Sequence, residues 1–146
     1  MSKIVIIGAG AMGTAFSIPC LDNNHDVNIV GTHLENDFID TMLNNKRLHP
    51  GLNAKIPDTI NLTKFENFDS LLNTSVDFIV LGISSKGIEW VSEQLYRVYN
   101  NKKLPSLLML TKGLSIYENN YELLVDKLER LLVTKGIKEV SISAVG

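Results

Sequence analysis

Short apolar runs rich in β-branched residues alternate along the chain with stretches in which apolar residues recur at helical spacing. Five strands are predicted, at residues 3–7, 27–31, 77–83, 107–111 and 140–145, and the first has the continuous apolar sequence of a strand buried on both faces. A weaker extended segment, residues 56–63, is interrupted by Pro57. Strands that alternate with helices predict βαβ units and therefore an α/β fold with a mostly parallel sheet.

Two helices are predicted in the N-terminal half. The first spans residues 11–23, and Asn24 follows it at a position where helix ends often need a left-handed residue. Thr32 and Glu35 match a capping box, in which a hydroxyl and a carboxylate satisfy free backbone amides at a helix start. The helix that they open carries an apolar stripe formed by Leu34, Phe38, Ile39, Met42 and Leu43.

Two further helices are predicted in the C-terminal half. One has an apolar stripe that consists of Ile88, Val91, Leu95 and Val98. The other is predicted to start at a second capping box, formed by Ser115 and Glu118, and to pair Asp126 with Arg130 on its exposed side. The predicted buried stripe of that helix consists of Tyr121, Leu124, Val125, Leu128, Leu131 and Leu132.

The composition is that of an ordinary globular domain. The 146 residues carry a net charge of −2, and 45% are hydrophobic, so we expect one domain spanning residues 1–146. A near-neutral charge without a Lys/Arg cluster argues against nucleic acid as a partner. The single cysteine, Cys20, excludes a disulfide framework, and the three histidines lack metal-ligand spacing, so no metal is expected. No apolar run reaches the ~18 residues of a membrane span or suits a signal peptide, so we expect a cytoplasmic protein.

A glycine-rich turn directly follows the first predicted strand. Residues 8–13, Gly-Ala-Gly-Ala-Met-Gly, match G-x-G-x-x-G and open the first predicted helix, which is the context required of the dinucleotide-binding fingerprint. Gly8 permits the tight turn, Gly10 lets a pyrophosphate approach the backbone, and Gly13 lets helix and strand pack closely. We therefore predict a doubly wound Rossmann fold, with helices on both faces of the sheet, that binds NAD or NADP. The alternative is a glycine turn that only joins strand to helix.

The acid that usually follows the second strand of this fingerprint is missing. It would bind the ribose 2′-hydroxyl of NAD, but residues 30–33 are Val-Gly-Thr-His and the next acid is Glu35. Thr32 and His33 are predicted to face the adenosine ribose instead, which slightly favours NADP although the arginine often found there is also missing. The choice of cofactor stays open. Alternatively, Thr32 only caps the helix and His33 is a solvated residue of its first turn.

Two further loops follow predicted parallel strands at their carboxyl ends, where ligands bind in open α/β sheets. These loops are residues 82–86, Gly-Ile-Ser-Ser-Lys, and residues 111–113, Thr-Lys-Gly. Lys112 would offer a cation to an anionic substrate or to the cofactor phosphates, unless it is only a solvated charge. Lys86 is a weaker candidate, because a helix start disfavours a cation.

Together these motifs resemble NAD(P)-dependent glycerol-3-phosphate dehydrogenase, most closely the N-terminal cofactor-binding domain of its archaeal and bacterial type. The Thr-Lys-Gly turn is the more specific motif, because many enzymes share the glycine fingerprint. The resemblance runs through the whole chain in order and rests on residues 8–15 (GAGAMGTA), 31–32 (GT), 44–51 (ending in HPG), 82–85 (GISS) and 111–114 (TKGL).

The resemblance implies roles for individual residues. Lys112 would contact both substrate and cofactor, Ala11 and Met12 would line the cofactor, and Thr32 would touch it. The implied cofactor site comprises Gly8, Gly10, Ala11, Met12, Gly13, Thr32, His33, Ser84 and Lys112, and the implied substrate site comprises Lys112 and Gly146. The chain departs from the family at positions 84–85, where Ser-Ser replaces the common Pro-Ser.

In this family a helical second domain follows a Ser-Gly-Pro-like segment and carries the proposed catalytic base with most of the substrate-phosphate site. Residues 143–146 reach only the first glycine of that segment, so we expect no catalytic residue within the chain. The implied reaction is hydride transfer between NAD(P)H and dihydroxyacetone phosphate or sn-glycerol 3-phosphate. The expected ligand is a small phosphorylated substrate. The expected protein partner is either a second copy of the chain, in a homodimer, or a separate chain that forms the C-terminal domain. We expect the surface that meets this partner to be unusually apolar.

Two alternatives remain. A related reductase such as ketopantoate reductase also begins with a Gly-Ala-Gly-Ala-Met-Gly run, but it would more often show Asn-Gly where this chain has Lys112-Gly113. A nucleotide-binding module without catalysis is the other alternative. Turnover of dihydroxyacetone phosphate with a reduced nicotinamide cofactor would distinguish the dehydrogenase from both.

Overall fold

The computed structural model describes residues 1–145 and contains ten β-strands and five α-helices within them. In chain order they are β1 (Lys3–Ile7), α1 (Ala11–Asp22), β2 (Asp26–Val30), α2 (Asn36–Asn44), β3 (Leu48–His49), β4 (Ala54–Lys55), β5 (Asn61–Thr63), α3 (Phe68–Leu72), β6 (Phe78–Leu81), α4 (Ile88–Tyr99), β7 (Ser106–Met109), β8 (Leu114–Tyr117), β9 (Asn120–Leu123), α5 (Leu124–Lys135) and β10 (Ile142–Ala144). Single turns of 3₁₀-helix cover Phe65–Asn67 and Ser85–Gly87.

Six of these strands form one parallel sheet in the order β10-β7-β6-β1-β2-β5. Numbered along the chain among themselves, the six strands have the order 6-5-4-1-2-3, which is that of a doubly wound Rossmann fold. At the centre, Ile6 of β1 pairs with Ile29 of β2 on one side and with Val80 of β6 on the other. The predicted fold class is therefore confirmed.

Helices cover both faces of the sheet, because successive side chains of a strand point to opposite faces. Ile4 and Ile6 of β1 belong to the apolar layer that contains Cys20 of α1 and Ile39 of α2. Val5 and Ile7 lie in the other layer, together with α3, α4 and α5. The helical residues buried in that second layer include Phe68, Leu72, Ile88, Val91, Leu95, Val98, Leu124, Leu128 and Leu132. Burial on both faces is why the central strand β1 lacks polar alternation.

The predicted helix start at Ser115 is wrong, because residues 114–123 form a β-hairpin. β8 and β9 pair antiparallel around Glu118 and Asn119. Their φ angles of +48° and +64° suit a two-residue hairpin turn, in which both central residues need positive φ. The Ser115 hydroxyl donates to the Glu122 carboxylate across the hairpin instead of capping a helix. The helix begins only after the hairpin, as α5.

Two details predicted for that helix are also wrong. Arg130 pairs with Glu122 of β9, with 2.7 Å between Nε and Oε1, instead of with Asp126. Tyr121 is 80% exposed, because it stands on the hairpin and not on a buried helix face. Cross-strand pairing places four exposed apolar side chains on one side of the hairpin, which we call the apolar hairpin face: Leu114, Ile116, Tyr121 and Leu123.

The N-terminal elements lie close to their predicted limits. Asn24 has a φ of +60°, which confirms the left-handed residue after α1. Leu34 is 80% exposed because α2 starts only after it, at Asn36, so it does not belong to the buried stripe, whereas Ile39 and Met42 are fully buried. In the segment 56–63, the strand is confined to β5 at the edge of the sheet.

Candidate functional site

The glycine turn lies where the strand order reverses. β1 pairs with β2 on one side and with β6 on the other, so successive connections from this point run to opposite halves of the sheet. In open α/β sheets, ligands bind in the crevice at the carboxyl ends of strands at such a switch point. The turn of residues 8–13 occupies that position, directly after β1.

Two of the fingerprint glycines are required by backbone packing. A Cβ added to Gly8 would lie 2.4 Å from the carbonyl oxygen of Gly82, and one added to Gly13 would lie 2.6 Å from the carbonyl oxygen of Gly8. Gly8 also has a φ of +108°, which residues with a Cβ rarely adopt. These contacts bring β1, α1 and the loop after β6 together with no side chain between them.

Gly10 differs from its neighbours, because the fold does not require a glycine there. Its φ of −66° and ψ of 176° suit any residue, and a Cβ would meet no heavy atom of the described residues within 4 Å. The backbone at Gly10 therefore faces open space. The fingerprint predicts this property for its second glycine, over which the pyrophosphate would pass.

The start of α1 presents backbone amides to the same space. Gly10 is the N-cap, and within residues 1–145 no side chain caps this helix and no acid stands in its first turn. The first amides of a helix have no partner inside it, and the helix dipole adds positive potential at this end. Ala11 and Met12 are exposed here. The helix start is therefore suited to an anion.

A cavity of about 290 Å³ lies in front of this helix start. Its walls are residues 10–12 of the turn, residues 82–84 after β6 and residues 110–111 after β7. The Thr111 hydroxyl donates a hydrogen bond to the carbonyl oxygen of Ile83, which joins the two loops. The structure thus brings the glycine turn and both predicted ligand loops to one crevice.

Glu35 reaches the glycine turn although it lies beyond the fingerprint spacing. Its carboxylate accepts hydrogen bonds from the N–H of Thr32 at 2.7 Å and from the N–H of Ala9 at 3.1 Å. The predicted capping box at the start of α2 is wrong, because the helix begins at Asn36 with Glu35 as its N-cap, and the hydrogen bond between Thr32 and Glu35 lies in the turn before the helix. Folding therefore brings a carboxylate to the carboxyl end of β2, where sequence spacing alone indicated that the acid was missing.

Thr32 and His33 lie directly after β2, at the carboxyl edge of the sheet. His33 is exposed, and its ring centroid lies 4.9 Å from that of Trp90 and 6.2 Å from that of Phe65. Trp90 belongs to α4, and its contact with His33 arises only when the chain folds. That Thr32 and His33 face the ribose stays a prediction.

The predicted substrate residues belong to the loop after β7 and to the end of the chain. Lys112 is exposed in that loop, next to Gly113, whose φ is +142°. Ser84 and Lys86 are exposed on the neighbouring loop after β6. Gly146 lies outside the described residues, and its role, like those of Lys112 and Ser84, stays a prediction.

A larger cavity, of about 720 Å³, lies at the opposite edge of the sheet, where β6, β7 and β10 begin. Ligands of open α/β sheets bind at the carboxyl ends of strands, so the smaller cavity at the glycine turn is the candidate site. Within residues 1–145, no group of three or more His, Cys, Asp or Glu side chains comes together as a metal site. No helix in the same part of the chain has the length and apolarity needed to cross a bilayer.

A doubly wound parallel sheet with a G-x-G-x-x-G turn at its switch point defines the class of Rossmann-type dinucleotide-binding domains. Within that class, the chain belongs to the family described as the NAD-dependent glycerol-3-phosphate dehydrogenase N-terminus, whose family model matches residues 3–143. The resemblance stated from the sequence is confirmed, and NAD(P) is the cofactor class of the family.

Curated relatives agree with this assignment. The NADP(+)-dependent glycerol-3-phosphate dehydrogenase of Archaeoglobus fulgidus is 29% identical over 117 residues, which are 80% of this chain and 33% of the relative. The NAD(P)+ glycerol-3-phosphate dehydrogenase of Bacillus cytotoxicus is 35% identical over 99 residues, which are 67% of this chain and 28% of the relative. The chain therefore spans about a third of the length of these relatives.

A solved structure shows the same fold. The glycerol-3-phosphate dehydrogenase of Coxiella burnetii aligns with 98% of this chain and with 40% of its own, at a TM-score of 0.71 and 22% identity.

Proposed function

We propose that the chain binds NAD(H) or NADP(H) and is the cofactor-binding part of an enzyme that interconverts dihydroxyacetone phosphate and sn-glycerol 3-phosphate. The observation that carries the proposal is the open space beside Gly10, in front of an uncapped helix start. Free amides and a positive dipole end are suited to two adjacent phosphates. Membership of the family supports a nicotinamide dinucleotide as the ligand.

The proposal assigns each end of the cofactor to a part of the crevice. The pyrophosphate lies over residues 10–13, and the adenosine ribose lies near Thr32 and His33. Met12 and Ser84, which both line the 290 Å³ cavity, face the cofactor from its two sides. The nicotinamide end then extends toward the loop that carries Lys112, because the ligand crosses the switch point between the two halves of the sheet.

The chemistry divides between the cofactor and the protein. When bound, the nicotinamide supplies the hydride. Reduction of the ketone also needs a proton for its oxygen and a cation for the substrate phosphate. Lys112 is exposed at the crevice loop and is suited to bind a phosphate, but one ammonium does not serve both needs. We therefore assign phosphate binding to Lys112, and the acid–base group to residues outside this chain.

Gly10→Val tests the proposal. The fold has room for the valine side chain, but that side chain would occupy the space in which the pyrophosphate is expected to lie. Calorimetry with NADH and NADPH is expected to show at least a hundredfold loss of affinity, or ~2.7 kcal/mol. The free energy of unfolding should change by only about 1 kcal/mol, through the helix cap. The matched control is Gly13→Ala, whose added Cβ would lie 2.6 Å from the Gly8 carbonyl oxygen and should destabilise the fold itself. Unchanged cofactor affinity in a folded Gly10→Val protein would refute the proposal.

A further inference from the structure

Ala9, the second residue of the glycine turn, is held at both of its backbone polar groups by side chains from distant parts of the chain. The residue is fully buried. Its N–H donates to the carboxylate of Glu35 at 3.1 Å, and its carbonyl oxygen lies 3.0 Å from Nε2 of His49. The hydroxyl of Thr14 donates to the same carbonyl oxygen at 3.2 Å. The fingerprint motif itself requires neither Glu35 nor His49.

The surroundings of His49 determine which ring nitrogen carries the proton. Nδ1 lies 3.1 Å from the amide nitrogen of Gly51 and 3.2 Å from that of Leu52, and a backbone N–H can only donate. Nδ1 is therefore the acceptor, which leaves the proton on Nε2 for donation to the carbonyl oxygen of Ala9. His49 is 2% exposed, so a neutral ring in this tautomer satisfies three backbone groups away from water.

A small hairpin outside the main sheet places His49 against the turn. His49 ends β3, which pairs only with β4 among the described residues. The Phe38 ring of α2 packs against the imidazole, with centroids 5.4 Å apart and planes at 84°. On the loop that follows, a Cβ at Gly51 would lie 3.2 Å from Cε1 of His49 and 3.7 Å from Cβ of Ala11. The hairpin therefore packs closely against the helix start where phosphates are expected.

We propose that His49 is a positioning residue of the cofactor site; this inference rests on the proposed function of the glycine turn. The peptide unit between Ala9 and Gly10 is planar and trans, so its N–H points away from the carbonyl oxygen that His49 holds. By fixing that oxygen, His49 fixes the direction of the Gly10 N–H, a donor of the phosphate-binding turn. Glu35 fixes the preceding peptide unit through the N–H of Ala9. The turn is thus oriented before the cofactor arrives, which lowers the ordering cost of binding.

Two substitutions test the positioning role, because each retains one of the two sets of hydrogen bonds that the His49 ring makes. His49→Asn retains an acceptor near the Nδ1 position for the hairpin amides but does not reach Ala9. His49→Gln brings an amide N–H near the Nε2 position and retains the contact with Ala9. For the 146-residue chain, the Kd for NADH is expected to rise about tenfold in His49→Asn and about twofold in His49→Gln. The control is His25→Asn, which alters a histidine whose Nδ1 accepts the Ser2 N–H at 3.1 Å, and it should leave Kd unchanged.

Thermal unfolding and NMR distinguish positioning from a purely structural role. If both His49 variants lose affinity in step with their Tm, or if His49→Asn binds NADH as the wild type does, the positioning role is wrong. Nitrogen-15 spectra of the wild-type chain without cofactor should show that the His49 imidazole is unprotonated at Nδ1 and protonated at Nε2. The opposite tautomer would contradict the proposed hydrogen bond to Ala9. A wild-type chain with the expected tautomer that binds neither NADH nor NADPH would refute the proposed function, and the positioning role with it.

Discussion

The imidazole of His33 and the indole of Trp90 lie with ring centroids 4.9 Å apart and planes tilted by 33°. The two residues come from the loop after β2 and from α4, which meet at the carboxyl edge of the sheet. Their contact borders the surface where the adenosine ribose is predicted. Because Trp90 is the only tryptophan of the chain, its fluorescence reports on this place alone.

Cofactor binding is expected to change the fluorescence of Trp90. Reduced nicotinamide absorbs where tryptophan emits, so NADH should quench Trp90 in proportion to the bound fraction. AMP lacks the nicotinamide, and a change in emission on adding AMP would report contact at the adenosine end. His33→Ala removes the aromatic ring predicted to face the adenosine end and should weaken AMP binding severalfold, since a contact between aromatic rings contributes ~0.5–1.5 kcal/mol. Binding seen by calorimetry without any change at Trp90 would contradict this.

Thr32→Asp is expected to alter cofactor preference. A carboxylate at this position would repel the 2′-phosphate of NADPH, so its affinity should fall about tenfold or more, while that for NADH stays within about threefold. Thr32→Asn has the same shape without the charge and serves as the control. Equal losses for both cofactors in competition binding would show that Thr32 does not face the ribose 2′ position.

The 146-residue chain is expected to bind cofactor but to reduce dihydroxyacetone phosphate negligibly. General acid–base catalysis is commonly worth ~10²–10⁴ in rate, and Lys112 alone does not supply it together with phosphate binding. Loss of nicotinamide absorbance at saturating substrate measures the turnover. The Lys112→Met variant, measured in the same way, is the control. Turnover near ~10 s⁻¹ would mean that the catalytic group lies within this chain.

The apolar hairpin face is expected to mediate self-association or binding of a partner chain. Ile116 is 73% exposed at its centre, and contiguous apolar surface of this kind favours association. Sedimentation velocity should show concentration-dependent association of the wild type and a monomer for Ile116→Lys. Val133→Lys introduces the same charge on α5, at a residue that is 54% exposed, and should still associate. Identical behaviour of the two variants would rule out the hairpin as the contact.

The ion pair between the hairpin and α5 is expected to make stability depend on acidic pH. The hydrogen bond from Arg130 lowers the pKa of the Glu122 carboxyl from its usual 4.5. The unfolded chain therefore binds this proton more readily, so ionised Glu122 stabilises the fold above about pH 4.5, and the contribution is lost as the pH falls through the lowered pKa. Urea unfolding should show that Glu122→Gln lowers the free energy of unfolding at about pH 7, and that this loss shrinks as the pH falls below about 4.5. If the difference in unfolding free energy between the wild type and Glu122→Gln does not vary with pH, the ion pair with Arg130 is not what stabilises the hairpin.

The centre of the sheet could be predicted from the sequence because most of β1 and most of β6 are buried on both faces and are continuously apolar. The segment 114–123 could not, because a Ser-x-x-Glu match and apolar residues at helical spacing imitate a helix. The hairpin turn contains no glycine, and its positive φ angles occur at Glu118 and Asn119. Pairing of Glu122 with Arg130 across two elements then stabilises the hairpin, and local patterns do not show such a contact.

The glycine turn of the candidate site could be predicted because it is a local motif with a strand before it and a helix after it. Glu35 and His49 could not, since they contact Ala9 from 26 and 40 residues away in the chain. His49 was visible only within the His-Pro-Gly part of the family resemblance, without a role. Contacts of this kind depend on how loops fold over the end of the sheet.

The direct backbone contacts among Gly8, Gly13 and Gly82 have a kinetic consequence. Side chains change rotamer and let a crevice open or narrow, whereas at these three glycines main chain meets main chain, and this part of the wall has no such freedom. A cofactor is therefore expected to meet a glycine turn whose backbone does not rearrange on binding. In stopped-flow experiments, the observed association rate should rise linearly with cofactor concentration, without the plateau that a slow rearrangement would impose.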